Sequence, residues 1–153
     1  MALLDRDPRA PDNWQGTLPV TNRYTFGLAG ERFFRMLQEE GQILGTYCPS
    51  CNHIYVPAQS YCERCLAKLD DWRDVGLKGE LYSFTLLYTN LDDSQKTEPE
   101  IVAFVKMGDG GLVHRLGDVA IEEISIGMQV QAVLKPRSER QGSILDIRFF
   151  KPV

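Results

Sequence analysis

Four cysteines are the residues whose type and spacing point most directly to chemistry. All lie in one 18-residue window, as Cys48-Pro-Ser-Cys51 and Cys62-Glu-Arg-Cys65, with ten residues between the pairs. Each CxxC forms a knuckle, a tight turn that aims two sulfurs at one point. Two knuckles supply four thiolates in the tetrahedral arrangement that Zn²⁺ accepts. Four sulfur ligands close the shell and leave no position for water, so the expected site is structural and performs no hydrolysis. Four thiolates also suit iron in a rubredoxin-like site. Redox-active CxxC pairs or plain disulfides are the remaining alternatives. A thioredoxin-type CxxC stands within a βαβ pattern, and no such pattern surrounds either pair. The segment 41–72 is too short to bury a core that offsets its own ordering entropy. Zinc contributes roughly 10 kcal/mol or more to such a module.

The other reactive residue types are sparse. With zinc bound no cysteine is left as a nucleophile, and the chain has two histidines. His53 follows the first knuckle and reads as an exposed loop residue, because the cysteines already fill the shell. His114 reads as a partly exposed strand residue rather than a general base. Asp92-Asp93 lies among Ser94 and Lys96 and reads as a solvated loop. Gly108-Asp-Gly-Gly111 lacks both the GxGxxG and the GK[ST] patterns that cradle phosphate, and reads as a hairpin turn. The sequence shows no catalytic constellation.

The elements that position the cysteines follow from periodicity. Residues 1–28 form an expected extended arm, with Pro8, Pro11 and Pro19 and the bulky anchors Trp14, Tyr24 and Phe26. These anchors pack either on the chain's own body or on a partner subunit. Phe33, Met36, Leu37 and Glu40 follow 3–4 spacing, which predicts a helix over 29–40 stopped by Gly41. Phe33 and Phe34 are adjacent, so one faces the protein and the other something else. Strands at 43–47 and 54–56 pair as the hairpin of a rubredoxin-like zinc ribbon, 41–72. From residue 73 the period becomes two. Strands are expected at 80–88, 101–107, 112–116, 129–134 and 143–150, with a polar loop at 91–100 and a short helix or turn at 121–126. Five strands with a helical insert between the third and fourth give a mainly β chain that ends in an OB-fold barrel over 73–153.

Bulk composition narrows the function. The net charge of −4 and pI near 5.2 count against phosphate backbones as the main partner. A nucleic-acid-binding zinc-ribbon/OB module is the alternative reading. It needs a basic groove, yet residues from 73 onward include ten basic and twelve acidic side chains. Tyr82, Phe84, Phe104 and Phe149 are expected in the barrel core rather than stacked on bases. No apolar run is long enough to cross a membrane, and the charged N-terminus has no signal core. A cytoplasmic location is expected.

The order of helix, CxxC, CxxC and five strands resembles the zinc-ribbon/OB-fold proteins of the DUF35 family, described as acyl-CoA-associated. The resemblance rests on Glu31-Arg-Phe-Phe-Arg-Met-Leu37, Tyr47-Cys-Pro-Ser-Cys51, Tyr55-Val-Pro57, Tyr61-Cys-Glu-Arg-Cys65, Gly79-Glu-Leu-Tyr-Ser-Phe-Thr85 and Ile126-Gly-Met-Gln-Val130. It covers about residues 24–150. Asn52 stands where glycine commonly follows the first knuckle, and Asn tolerates positive φ nearly as well. Glu63 replaces a common proline.

The resemblance implies a non-catalytic accessory subunit, needed for the assembly or activity of a larger thiolase-like enzyme acting on a CoA thioester. Arg23-Tyr-Thr-Phe-Gly-Leu-Ala-Gly-Glu31 looks like the subgroup that accompanies thiolases. Trp14, Tyr24, Phe26, Phe33 and Phe34 are the candidate partner contacts. Arg115, Lys135, Arg137 and Arg140 are candidates for holding a CoA phosphate near the barrel mouth, with solvated surface charge as the alternative.

Overall fold

A computed structural model describes residues 25–90, 92 and 94–153. Trp14, Tyr24 and the arm through residue 24 lie outside the described residues.

The first element is helix α1, Gly27–Glu39, which begins two residues earlier than the spacing suggests. Thr25 Oγ1 accepts a hydrogen bond from Gly27 N at 3.0 Å, which starts the helix upstream of Ala29. Ala29, Phe33 and Leu37 recur every fourth residue and are buried. At the other end Gly41 takes φ +70°, and Gln42 N reaches back to Met36 O at 3.3 Å. A left-handed glycine that ends a helix in this way satisfies orphaned carbonyls.

The ribbon has three strands: β1, Leu44–Cys48, β2, His53–Tyr55, and β3, Asp71–Asp74, in the order β2-β1-β3. The hairpin of β1 and β2 pairs Thr46 with Tyr55. The third strand was not legible, because Asp71-Trp-Arg-Asp74 is too polar to show alternation; its pairing of Thr46 with Trp72 comes from the central position of β1. Thr46 is fully buried, and its hydroxyl both donates to Gln59 O and accepts from Gln59 N at 2.9 Å. That pair pins the segment between the knuckles to β1.

The remaining strands are β4, Lys78–Thr89, β5, Gln95–Met107, β6, Gly110–Arg115, β7, Gln129–Leu134, and β8, Ile147–Pro152. They form one sheet in the order β6-β5-β4-β7-β8, all pairs antiparallel. The sheet curls until β6 and β8 meet at one parallel bridge, Leu116 to Phe150. This is the OB-fold connectivity, closed by that single bridge rather than by a full ladder.

Three expectations change. The polar stretch 91–100 is largely strand: β5 starts at Gln95, and Thr89 pairs with Gln95. Pro99 lacks an N–H and sits where the register slips between Leu87 and Thr89, so no ladder bond is lost. The last strand starts at Ile147, because Ile144–Asp146 is a 3₁₀ turn. The buried Asp146 carboxylate accepts from Gln141 N, Gly142 N and Ser143 N at 2.8–3.2 Å and fixes that turn. Tyr82 and Phe84 are not fully buried: the register shift between Leu81 and Ser83 puts Tyr82 beside Phe104 on the outer face, 57% exposed, while Phe84 pairs with buried Ala103 yet keeps 36% of its surface exposed. On β8 the core ring is Phe150, while Phe149 is half-buried.

One hydrophobic core runs through all three parts. Phe33 and Leu37 of α1, Ile43, Leu44 and Val56 of the ribbon, and Leu81, Val105, Val130 and Phe150 of the barrel are mutually packed. The join is tightest at the β5–β6 hairpin. Gly108, at φ +62°, makes the two-residue turn between the paired Met107 and Gly110. Gly110 lies so close to the ribbon that a Cβ there would meet Val56 N and O at 2.6 Å. Gly111 N donates to Val56 O at 3.0 Å, and Ile54 N donates to Asp109 Oδ2 at 2.9 Å.

Candidate metal centre

Cys48 is the last residue of β1, Cys51 closes the turn into β2, and Cys62 and Cys65 sit on the second knuckle. The Cys48 and Cys65 sulfurs are 3.6 Å apart and those of Cys51 and Cys62 are 3.7 Å apart. All four sulfurs lie within 4.8 Å of one another, and all four residues are free cysteines. A tetrahedron with Zn–S bonds of about 2.3 Å has edges of about 3.8 Å, so the spacing fits a metal. A disulfide needs about 2.05 Å. The donor set and its geometry are those of one structural zinc.

The knuckles owe their shape to backbone geometry. Asn52 and Leu66, the residues after each CxxC, both adopt left-handed φ, at 47° and 61°. Asn at the first position suits this; leucine at the second carries the cost of a side chain in that region. Leu66 N donates to Cys62 O and Cys62 N to Ala67 O, closing the second knuckle at 2.9 and 2.8 Å. Around the sulfurs, Cys48, Cys62, Tyr55 and Leu69 form a small buried cluster separate from the main core.

The thiols of the protein alone are tuned apart. Tyr55 Oη lies 3.2 Å from Cys62 Sγ and accepts from Glu63 N at 3.2 Å. The hydrogen bond from Tyr55 is the main reason the Cys62 thiol falls to about 5, with backbone hydrogen bonds from Cys65 and Arg64 acting the same way. The same contact raises the Tyr55 hydroxyl. Cys51 is pushed up to about 12, first by its hydrogen bond with Cys65 and then by burial. Burial raises Cys48. Cys62 is thus the ready thiolate, and metal supplies the field that deprotonates Cys48 and Cys51. With four sulfurs on zinc no coordination position is open, so the centre holds the ribbon and performs no chemistry.

The two histidines differ from expectation. His53 lies on β2, its side chain 16% exposed, against the Tyr55 ring and 3.6 Å from Asp109 Oδ2. It belongs to the ribbon–barrel join and not to a free loop. His114 is buried because its neighbour across β6 is the core strand β5 and the 3₁₀ turn caps it. Its Nε2 lies 3.2 Å from Ile144 O, which makes Nε2 the donor; Nδ1 has no hydrogen-bond partner. Burial holds its pKa below the usual imidazole value.

The four candidate phosphate ligands separate. Arg115 and Lys135 line one pocket, joined by Arg148, which sequence reasoning missed. Arg115 also pairs with Glu100. Arg140 instead donates from Nε to Lys135 O at 2.8 Å and from Nη1 to Gln38 O at 3.5 Å, so it clamps the end of α1. Arg137 lies 3.9 Å from Glu40. Among the partner candidates, Phe33 is 1% exposed and serves the core. Phe34 packs edge-on between Phe33 and Phe26, whose own ring stays largely exposed. Leu28, 84% exposed, is the apolar residue of this region that periodicity did not single out.

A four-cysteine ribbon joined to a five-stranded barrel defines a zinc-ribbon/OB-fold protein. Residues 39–70 match the ChsH2 rubredoxin-like zinc ribbon domain, and residues 72–135 the ChsH2 C-terminal OB-fold domain. The chain belongs to the DUF35 family. It is 27% identical over 128 residues to a DUF35 domain-containing scaffold protein of Methanocaldococcus jannaschii, across 80% of this chain and 89% of that one. A scaffold protein of the same description from Methanothermobacter thermautotrophicus is 28% identical over 79% of this chain and 94% of its own. The fold is shared with a DUF35-family protein of unknown function from Sulfolobus solfataricus, at TM-score 0.63 and 23% identity over 83% and 87% of the two chains. It is also shared with the Ltp2-ChsH2(DUF35) aldolase, at TM-score 0.59 and 21% identity over 85% and 98%. No helix among the described residues is long and apolar enough to cross a membrane.

Proposed function

We propose that this chain is the zinc-containing, non-catalytic accessory subunit of a larger thiolase-like enzyme that acts on a CoA thioester. The observation that carries the reading is a ribbon built round a closed four-sulfur centre whose Ile43, Leu44 and Val56 share one core with an OB-fold. Such a centre can fix a surface and cannot attack a substrate. The relatives named scaffold proteins, and a neighbour named as an aldolase together with its DUF35 chain, support the same role.

The partner surface in this reading is the start of α1 with the adjoining ribbon. Phe26 and Leu28 project there, beside a groove of about 470 Å³ between α1 and the ribbon. Arg32 stacks on Trp72 at 4.4 Å in its wall, giving an aromatic anchor next to positive charge. The test is affinity purification of the full chain from native lysate. It should bring down a larger acyl-CoA enzyme whose turnover falls when this chain is removed. Full turnover by the isolated larger chain contradicts the reading.

A further inference from the structure

The groove between α1 and the ribbon has an apolar floor and one charge left over. Met36 of α1 and Leu69 and Trp72 of the ribbon form the floor, and Leu28 lines it near the start of the helix, 84% exposed. Of the charged side chains along it, Arg35 is paired with Glu31 and Lys68 with Asp70. Arg32 stacks on Trp72 at 4.4 Å and has no carboxylate partner among the described residues. A guanidinium stacked by its face keeps its N–H edge for a carboxylate.

Residues 1–24 precede the described chain at that same end of α1. Their sequence alternates from Trp14 to Val20. Trp14, Leu18 and Val20 share one side of an extended segment, while Gln15, Thr17 and Pro19 share the other. Asp12 is the single charged side chain of residues 10–22. The lengths agree as well. Leu28 to Met36 is about 12 Å along a helix, and Trp14 to Leu18 is about 13 Å along an extended chain. Pro19 and Asn22, between Leu18 and Thr25, suit the reversal that brings one beside the other.

We propose that residues 12–18 of this chain turn back along α1 and fill the groove. Trp14 sits on Met36 and Leu69 beside Trp72, Leu18 sits against Leu28, and the Asp12 carboxylate meets the Arg32 guanidinium. The occupant is tied to its site by a few residues, so its effective concentration is high and modest contacts hold it. The inference goes beyond the accessory-subunit reading and does not rest on it. Where that reading holds, the arm and Phe26 form one surface for the larger subunit.

The test uses the full zinc-loaded chain, ¹³C-labelled at the methyl groups of methionine and leucine. The Trp14 indole is expected to give nuclear Overhauser contacts to the Met36 and Leu69 methyl groups, at a level independent of protein concentration. Trp14→Ala should remove them and shift the Leu28, Met36 and Leu69 signals, leaving Leu81 and Leu116 of the barrel core in place. Asp12→Lys and Arg32→Glu should each lower the contacts, and the two together should restore them. Absence of any contact from Trp14 to these methyl groups overturns the inference and leaves the groove to another occupant. Contacts found only between labelled and unlabelled chains in a mixed sample assign the groove to the arm of a second copy, and overturn it too. Contacts unchanged by both charge reversals contradict the placement of Asp12 on Arg32. No larger subunit is present in this test, so an undocked arm and a chain without a partner are told apart.

Discussion

The Tyr55 hydroxyl lies 3.2 Å from the Cys62 sulfur, and this contact links the ribbon's own packing to its metal. Tyr55 is buried on β2 and also receives Glu63 N, so the ribbon's own packing holds its hydroxyl against the Cys62 sulfur. Groups that hold a metal's ligands in this way are commonly worth 10–100-fold in affinity.

Tyr55→Phe should therefore lower zinc affinity by about tenfold or more, measured by competition with a chromophoric chelator. The fold should persist, because the ring stays in place. The Cys62 thiol, at about 5 in the native cluster, is already deprotonated at pH 7. Loss of the Tyr55 hydrogen bond lets it rise, so the variant should release more protons on zinc binding at pH 7. Calorimetry in buffers of different ionisation enthalpy reads this directly. Equal proton release in the two proteins would contradict the assignment.

Leu66 and Asn52 occupy equivalent places after the two knuckles, yet only Asn suits positive φ. Left-handed backbone costs a non-glycine residue about 1–2 kcal/mol. Leu66 is 78% exposed and loses little packing on replacement. Leu66→Asn should stabilise the isolated chain by about 0.5–1 kcal/mol, measured by urea unfolding with zinc present. No gain would mean that the knuckle is unstrained.

Gly110 is the closest approach of barrel to ribbon. Gly110→Ala places a Cβ 2.6 Å from the Val56 backbone, which has no flexible end to yield. Overpacking of this kind costs about 1–3 kcal/mol. Unfolding should show that loss while zinc content stays at one per chain. Wild-type stability would show that the join is looser than its geometry.

His114 gives the pH dependence a sign. Burial lowers its native pKa below the unfolded value, so the unfolded state binds the proton first as pH falls. The stability it protects is complete above about pH 6.5 and is lost as pH falls toward the native pKa. Between pH 7 and pH 5 the wild-type chain should lose more stability than His114→Gln, read as the difference in urea midpoints. Parallel losses would remove His114 from the account.

The sequence showed the ribbon and the barrel's strand count because both depend on local pattern: two CxxC pairs, glycine punctuation and alternating residues. It did not show β3, whose pairing comes from a neighbour rather than from its own polar residues. Nor did it show the 3₁₀ turn at Ile144–Asp146, which depends on where Asp146 finds its three amides. Among the site residues the cysteines were plain from spacing. The fate of the cations was not, because Arg115, Lys135 and Arg148 meet only after β6, β7 and β8 curl together, while Arg140 turns to the end of α1. Tyr82 needed one register shift, which alternation alone does not reveal.

The claim that zinc shapes a partner surface without doing chemistry is tested most directly by partner capture with Cys48→Ser and Cys62→Ser. Each variant should lose its zinc and the ordered ribbon, and should retain less than a tenth of the larger subunit held by the wild-type chain. Adding the wild-type chain back should restore that subunit's turnover. Full capture of the subunit by metal-free protein would contradict the account.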